Sequence, residues 1–376
     1  MKISIIGPAY PYRGGISHYT TLLTKELRKK HGVDLISFKR QFSKLFYPGK
    51  SEKDYTSQIK TNCVYLLDSL NPFTWIKVFN RIRKSKSDLV IFQWWTPFFT
   101  PQYTFISFLI KKFTKSKVLS LCHNVIPHER RRFLDENLTK LFFRNCDCFI
   151  VHSEEEKENL NNLIRNPIVV VFPHPSYSVF ATNMNKEDSK KEIGIDEEKI
   201  ILFFGLIRSN KGLMYLIKAM PNILKEIKVK LLIVGEFFGE SRQKYTNLIE
   251  KLNLKDNIKI IEGYAPDGKV GMYFSASDVV ILPYISGTGS GILQVAFGLN
   301  KPVICTNVSF SNDVKDNKTG FVVKKEDSGE LANAIIKFYK RNLEKEFIKN
   351  IKKENQKFSW DKMADALEKS VSKNFK

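Results

Sequence analysis

Short, continuous apolar runs recur along the chain, separated by segments of helical length, and this alternation constrains the fold more than any other feature. Lys2–Gly7, Val33–Phe38, Asp88–Gln93, Lys117–Leu121, Cys148–His152 and Ile168–Phe172 form a first series. The runs are rich in β-branched and aromatic residues and do not alternate apolar with polar, which suits strands buried on both faces. Parallel strands need long crossovers, so helices between such strands predict a doubly wound, Rossmann-like α/β domain. A second series, Ile200–Phe204, Lys230–Val234, Ile258–Ile261, Val279–Leu282 and Pro302–Thr306, predicts a second domain of the same kind. The 376 residues suffice for two domains.

The division is expected near residue 175, with 1–175 as the first domain and 176–357 as the second. The charged helical tail, 358–376, is expected to pack back on the first. The polar stretch from Ala181 to Lys199, with Pro173-His174-Pro175 before it, reads as the hinge. Two such domains are expected to face each other across a central cleft. Open α/β sheets bind ligands beyond the carboxyl ends of their strands, so informative residues should follow the runs named above.

Composition narrows the surroundings. No apolar run approaches the roughly 20 residues that span a bilayer, and Met1–Gly7 reads as a core strand rather than a leader. The five cysteines are odd in number, which suits a reduced, cytoplasmic protein. Cys146 and Cys148 flank Asp147 without the second pair that a zinc site needs. The net charge is +22, and residues 1–175 hold 28 basic against 14 acidic side chains. Such an excess suits an anionic membrane surface, at the inner face, or a phosphate-bearing substrate. No nucleic-acid recognition motif accompanies it.

Three loops carry candidate chemistry. Pro8-Ala9-Tyr10-Pro11-Tyr12-Arg13-Gly14-Gly15 follows a strand and opens a helix, so Gly14 and Gly15 let a ligand approach the backbone near a helix N-terminus. It lacks the three spaced glycines of a dinucleotide fingerprint, which argues against bound NAD. Gly205-Leu206-Ile207-Arg208-Ser209-Asn210-Lys211-Gly212 places two cations three residues apart after a buried strand. Arg208 offers a planar donor fork and Lys211 a mobile point charge, a pairing suited to a diphosphate. Thr288-Gly289-Ser290-Gly291 precedes an apolar helix whose first N–H groups can hold phosphate oxygens. Gly235 and Tyr264, after the next two runs, join the candidate set. Together these loops suggest a nucleoside-diphosphate ligand.

The pattern Gly-x-x-Arg-x-x-Lys-Gly, then Asp278-x-x-Ile-Leu-Pro, then a glycine-rich loop ending in Lys301-Pro302-Val303, resembles the family-4 glycosyltransferases of GT-B fold. The Gly14-Gly15 loop and Phe358-Ser359-Trp360-Asp361 fit as well. The resemblance implies retaining transfer of a sugar from a nucleotide donor without a metal, and the sequence contains no Asp-x-Asp motif. It also implies that Arg208 and Lys211 bind the donor diphosphate and stabilise it as the glycosidic bond breaks. The chain departs from the family at two places. Gly287 and Val295 stand where family members usually carry glutamates, the first touching the sugar and the second the ribose. Gln294 is a candidate replacement for one contact.

All six histidines precede residue 175. His123 follows a strand, and the resemblance puts a histidine at this place near the donor sugar. His18, His152 and His174 border strands too, without a known metal-ligand spacing. Glu129 is read as an orienting group and Arg130-Arg131-Arg132 as contacts for an acidic acceptor or a solvated face. Trp94, Trp95, Phe98 and Phe99 beside Lys111–Lys115 suit a membrane interface, a sugar platform or the core. The function expected is sugar transfer from a UDP- or GDP-linked donor to a glycan or lipid-linked acceptor. An epimerase or hydrolase on the same fold, and a non-catalytic binding module, are the alternatives.

Overall fold

A computed structural model describes residues 1–42, 53–57, 59–126 and 132–374. The chain divides into two compact units, Met1–His174 with Ser359–Lys376, and Pro175–Phe358.

The first unit is built on seven parallel strands, β1 (Lys2–Ile6), β2 (Gly32–Arg40), β3 (Val64–Asp68), β4 (Leu89–Trp94), β5 (Lys117–Cys122), β6 (Cys148–Val151) and β7 (Val169–Val171), in the order β3-β2-β1-β4-β5-β6-β7. Every residue of the central β4 is buried, which explains its uninterrupted apolar sequence. Ile6, Ile36, Val90 and Phe92 meet the helices Pro72–Ser85, Thr100–Phe113 and Arg132–Phe143 on one face. Ile5, Leu89, Ile91 and Leu119 meet Tyr19 and Leu23 of the helix Gly15–Leu27 on the other. The C-terminal helix Trp360–Asn374 lies beside Gly15–Leu27 and adds Met363 and Leu367 to that core. Full burial of each contributes about 1.5–3 kcal/mol. Lys30 and His31 tie the helix down through Asp365 and Glu368, at 2.8 and 3.0 Å.

The second unit holds six parallel strands, β8 (Ile200–Phe204), β9 (Lys230–Gly235), β10 (Ile258–Glu262), β11 (Val279–Leu282), β12 (Val303–Thr306) and β13 (Gly320–Val323), in the order β10-β9-β8-β11-β12-β13. Strand order reverses beside β1 and beside β8. The β1/β4 and β8/β11 pairs are therefore the switch points, where adjacent loops diverge and leave room for a ligand.

One expectation is corrected. The polar stretch Ala181–Lys199 is not a linker. It contains the helix Lys186–Ile193, which packs on the helix Asp267–Ala276 within the second unit. Asp278 anchors this corner from the start of β11. It accepts from Ile200 N–H at 2.8 Å and from the Tyr339 hydroxyl at 2.9 Å, and pairs with Lys186. The aspartate of the Asp-x-x-Ile-Leu-Pro motif is thus a structural tie. Among the described residues, no helix is long and apolar enough to cross a membrane.

Candidate active site

Because β8 and β11 are neighbours, the basic loop after one and the glycine-rich loop after the other emerge side by side. Gly205 leaves β8 with φ +111° and donates its N–H to Val234 O at 2.9 Å. A Cβ on Gly235 would lie 1.8 Å from Gly205 O, so only glycine lets the two strand ends pass. Ile207 N–H then donates to Glu236 O at 2.9 Å, and Phe238 N–H to Ile207 O at 3.0 Å. This short ladder carries Arg208 to Phe238, with the guanidinium 4.3 Å from the ring centroid.

Lys211 closes a turn at Ser209–Lys211 and is followed by Gly212 at φ +68°. A Cβ on Gly212 would meet Pro283 O at 1.8 Å, and Ile285 N–H donates to Asn210 O at 2.8 Å. The two loops are therefore pressed together and bonded backbone to backbone. Lys211 Nζ stands 3.7 Å from the centroid of the Tyr284 ring. Each cation is held on an aromatic face from a neighbouring strand's loop, an attraction of roughly 0.5–2 kcal/mol that fixes a long side chain.

Tyr284 is braced in turn. Its ring meets Phe310 edge-on at 5.0 Å and its hydroxyl accepts from Ser290 at 3.4 Å. Ser290 caps the helix Gly291–Gly298 by accepting from Leu293 N–H at 3.3 Å. A Cβ at Gly289 or Gly291 would meet nothing within 4 Å, so the backbone there lies open beside Thr288. The start of this helix offers oriented N–H groups next to two fixed cations.

Gln294 is 1% exposed, and its amide donates to Asp313 at 2.9 Å. Burial pushes the Asp313 carboxyl up to about 6, against a smaller lowering by that hydrogen bond. Tyr264 follows β10 and donates its hydroxyl to Asp267 at 3.2 Å, at the start of the helix Asp267–Ala276. Neither Phe238 nor Asp313 was singled out from the sequence. Their importance comes from strand adjacency and from the turn Ser309–Asp313, which carry no local signal.

In the first unit, Gly14 caps the helix Gly15–Leu27 at φ +102°, and a Cβ at Gly14 or Gly15 would meet nothing within 4 Å. His123 leaves β5 and donates its backbone N–H to Trp94 O at 2.8 Å. Its Nε2 lies 2.8 Å from Oε1 of the buried Gln93. The Tyr19 ring touches His123, His174 and Trp360 at 4.7, 5.0 and 5.0 Å, and His152 at 5.3 Å. Burial holds His123 well below the ordinary imidazole range, with His152 and His174 adding to it. Burial also brings His152 down to about 4, although its contact with Phe172 O at 2.9 Å opposes this. These two imidazoles are neutral at pH 7.

Glu156 was missed. It is buried and accepts from Val125 N–H at 2.5 Å, pinning the turn after His123. The Ser153-x-x-Glu156 spacing of a capping box was its available signal. Glu129, Arg130 and Arg131 lie outside the described residues, as does the side chain of Arg132. Trp94 and Phe99 form no exposed aromatic platform: both are core residues, Trp94 stacking on Phe142 at 5.2 Å. Among the described residues, no group of three or more His, Cys, Asp or Glu side chains is arranged to hold a metal ion.

Two family models match the chain, "Glycosyltransferase Family 4" over residues 13–174 and "Glycosyl transferases group 1" over residues 185–354. An uncharacterized glycosyltransferase of Methanocaldococcus jannaschii is 23% identical, with 97% of each chain covered. A GDP-mannose:glycolipid 4-beta-D-mannosyltransferase of Xanthomonas campestris is 26% identical over 51% of this chain and 50% of its own length. Against several relatives the match spans only half to three fifths of the relative's length. Among solved structures, Anabaena HepE in complex with UDP superposes with a TM-score of 0.76 at 16% identity, covering 99% of this chain and 100% of that one. That likeness is one of fold. With one family model on each unit and a doubly wound sheet in both, the chain belongs to the family-4, group 1 glycosyltransferases of GT-B fold.

Proposed function

We propose that the chain transfers a hexosyl group, with retention and without a metal ion, from a UDP- or GDP-linked donor to a hydroxyl of a glycan or lipid-linked acceptor. We place this step in surface polysaccharide or glycolipid synthesis at the cytoplasmic face of the membrane. One observation carries the reading: Arg208 and Lys211 are each held on an aromatic ring, in two bonded loops, beside the open start of a capped helix. A diphosphate is the ligand whose charge and size suit two fixed cations with backbone donors.

In the reaction, the bond from the sugar's anomeric carbon to the diphosphate oxygen breaks and its electron pair stays on the diphosphate. The acceptor oxygen bonds the anomeric carbon on the same face, and its proton leaves with the diphosphate. Arg208 and Lys211 meet the charge that develops on the leaving group, which is where fixed cations lower a barrier most. The Thr288–Gly291 backbone supplies neutral donors; Gly205, whose own N–H is taken by Val234, turns the chain out of β8 against Gly235, and Gly212 lets the two loops lie close enough to serve one ligand. His123, kept neutral by burial, is read as a hydrogen-bonding partner for a sugar hydroxyl. Gly287 and Val295 remove two carboxylates that family members use on the sugar and ribose. The site therefore selects for the diphosphate more strongly than for the sugar.

A panel of UDP-, GDP- and ADP-sugars in a thermal-shift assay tests this reading, followed by mass spectrometry of products with and without acceptor. A stabilising UDP- or GDP-sugar and a glycosylated product are expected. Release of free sugar regardless of acceptor would replace transfer with hydrolysis.

A further inference from the structure

We infer that the outer face of three neighbouring helices in the first unit, Pro72–Ser85, Thr100–Phe113 and Arg132–Phe143, docks on an anionic lipid bilayer. All three are apolar on two sides. Inward, Val78, Ile82, Ile106 and Phe142 pack on the sheet. Outward, Phe73 and Ile76, Phe105 and Phe108, and Leu134, Leu138 and Leu141 are exposed, with Phe73 at 76%, Phe108 at 50% and Leu134 at 57%. Within each helix the outward residues recur at three- and four-residue steps, so they form one stripe per helix.

The stripes are adjacent. Trp75 of the first helix meets Phe105 of the second at 5.9 Å, and Thr100 Oγ1 of the second donates to Leu138 O of the third at 3.3 Å. Single exposed apolar residues are ordinary, but a contiguous run of large ones marks an interaction surface.

Charge selects the partner. The first two helices contain six basic residues, Lys77, Arg81, Arg83, Lys84, Lys111 and Lys112, and no acidic one. Arg81 is engaged by Asp34 and Lys111 by Asp147. Lys77, Arg83, Lys84 and Lys112 are exposed among or beside the stripes, and Lys112 Nζ lies 5.8 Å from the Phe108 ring. A protein interface core is depleted in lysine. Phenylalanine and leucine interleaved with lysine are what a headgroup–acyl boundary accepts, since the rings enter while the ammonium groups stay with the phosphates. Each exposed cation adds about 1 kcal/mol near an anionic leaflet. The Trp94–Phe99 segment is not this surface, because Trp94 and Phe99 are consumed by the core. The inference deepens the proposed lipid-linked acceptor and rests on that reading for its purpose, though not for its observations.

The test is flotation of the full chain with vesicles of phosphatidylcholine alone and of equal parts phosphatidylcholine and phosphatidylglycerol. Wild type is expected to float with the anionic vesicles and not with the neutral ones, and to be released by salt. Phe73→Glu/Phe108→Glu and Lys77→Glu/Lys112→Glu are each expected to weaken partition at least about tenfold. Binding of UDP and GDP by calorimetry should be unchanged in both variants, which separates lost docking from lost fold. If no form binds a nucleotide, the donor reading fails while flotation still decides the surface. Failure of wild type to float with anionic vesicles would overturn the inference. So would equal flotation of the phenylalanine variant, or a change in its oligomeric state alone, which would assign the face to a second copy of the chain.

Discussion

The glycines around the end of β8 and those before the helix Gly15–Leu27 do different work. Around the end of β8, Gly212 and Gly235 are required because a Cβ would strike a carbonyl oxygen at 1.8 Å, that of Pro283 after β11 and that of Gly205 beside β9. Their role is to bring two loops into contact. At the start of the helix after β1, by contrast, a Cβ on Gly14 or Gly15 would meet nothing within 4 Å. The charges differ in the same way. The second unit fixes two cations on aromatic rings, whereas the first surrounds Tyr19 with imidazole rings, of which burial keeps His123 and His152 neutral. A cradle of fixed cations follows the strands of one unit and a cluster of neutral, buried imidazoles those of the other, although both are doubly wound sheets. Fold alone does not decide what a switch point binds; the residues that follow the strands do.

The strongest way to break this contrast is through the glycines. Gly235→Ala and Gly212→Ala are each expected to destabilise the second unit by about 3 kcal/mol or more, because backbone rather than a flexible side chain must yield. Gly15→Ala, at the first position of a helix, is expected to be neutral within about 0.5 kcal/mol. Urea unfolding followed separately in each unit by hydrogen exchange would check both. Equal effects of Gly15→Ala and Gly235→Ala would remove the distinction.

Next in size are the charged groups. Arg208→Ala and Lys211→Ala are each expected to lower kcat/KM by about 10²–10³. His123→Ala is expected to cost about tenfold, because it removes one neutral hydrogen bond. Steady-state rates with the donor found by the thermal-shift panel would rank them. A larger loss at His123 than at Arg208 would move the chemistry to the first unit.

A last contrast lies in the pH dependence of stability, where the units should respond oppositely. Asp313 is raised from 3.8 to about 6 in the fold, so the unfolded chain binds fewer protons in that window. Stability of the second unit should therefore fall by about 2 kcal/mol as pH rises from about 4 to about 6. His152 is lowered from 6.5 to about 4, so the unfolded chain binds more protons and the first unit should gain stability as pH rises over the same range. Asp313→Asn should abolish the first slope and keep the bond from Gln294. Hydrogen exchange in the two units at several pH values would show whether the slopes have opposite signs.

Much of this architecture was legible in the residues, for a physical reason. A strand buried on both faces shows itself as a continuous apolar run, and β1, β4, β8 and β11 read that way. The two strands that were not read, β3 and β13, are both sheet edges. β3 is only partly buried, with Tyr65 exposed, and β13 is four residues long and starts with glycine. The polar helix Lys186–Ile193 was mistaken for a hinge because its surface composition hides the anchoring of Lys186 to Asp278. In the site, the cations and glycines of the loops were visible as local motifs. Phe238 beneath Arg208 and Tyr284 beneath Lys211 were not, because each lies after a different strand from its cation and meets it only once the sheet order is known. The exposed stripes on the three helices were equally hidden, since Phe105 and Ile106 are both apolar and only packing tells the outer from the inner.

The central claim is that Arg208 and Lys211 bind the diphosphate of a nucleotide donor. Titration calorimetry of UDP and GDP against wild type, Arg208→Ala, Lys211→Ala and His123→Ala tests it most directly. Binding of one nucleotide to wild type and to His123→Ala is predicted, with affinity reduced at least about tenfold in each of the other two. Affinity unchanged in both Arg208→Ala and Lys211→Ala would contradict the account.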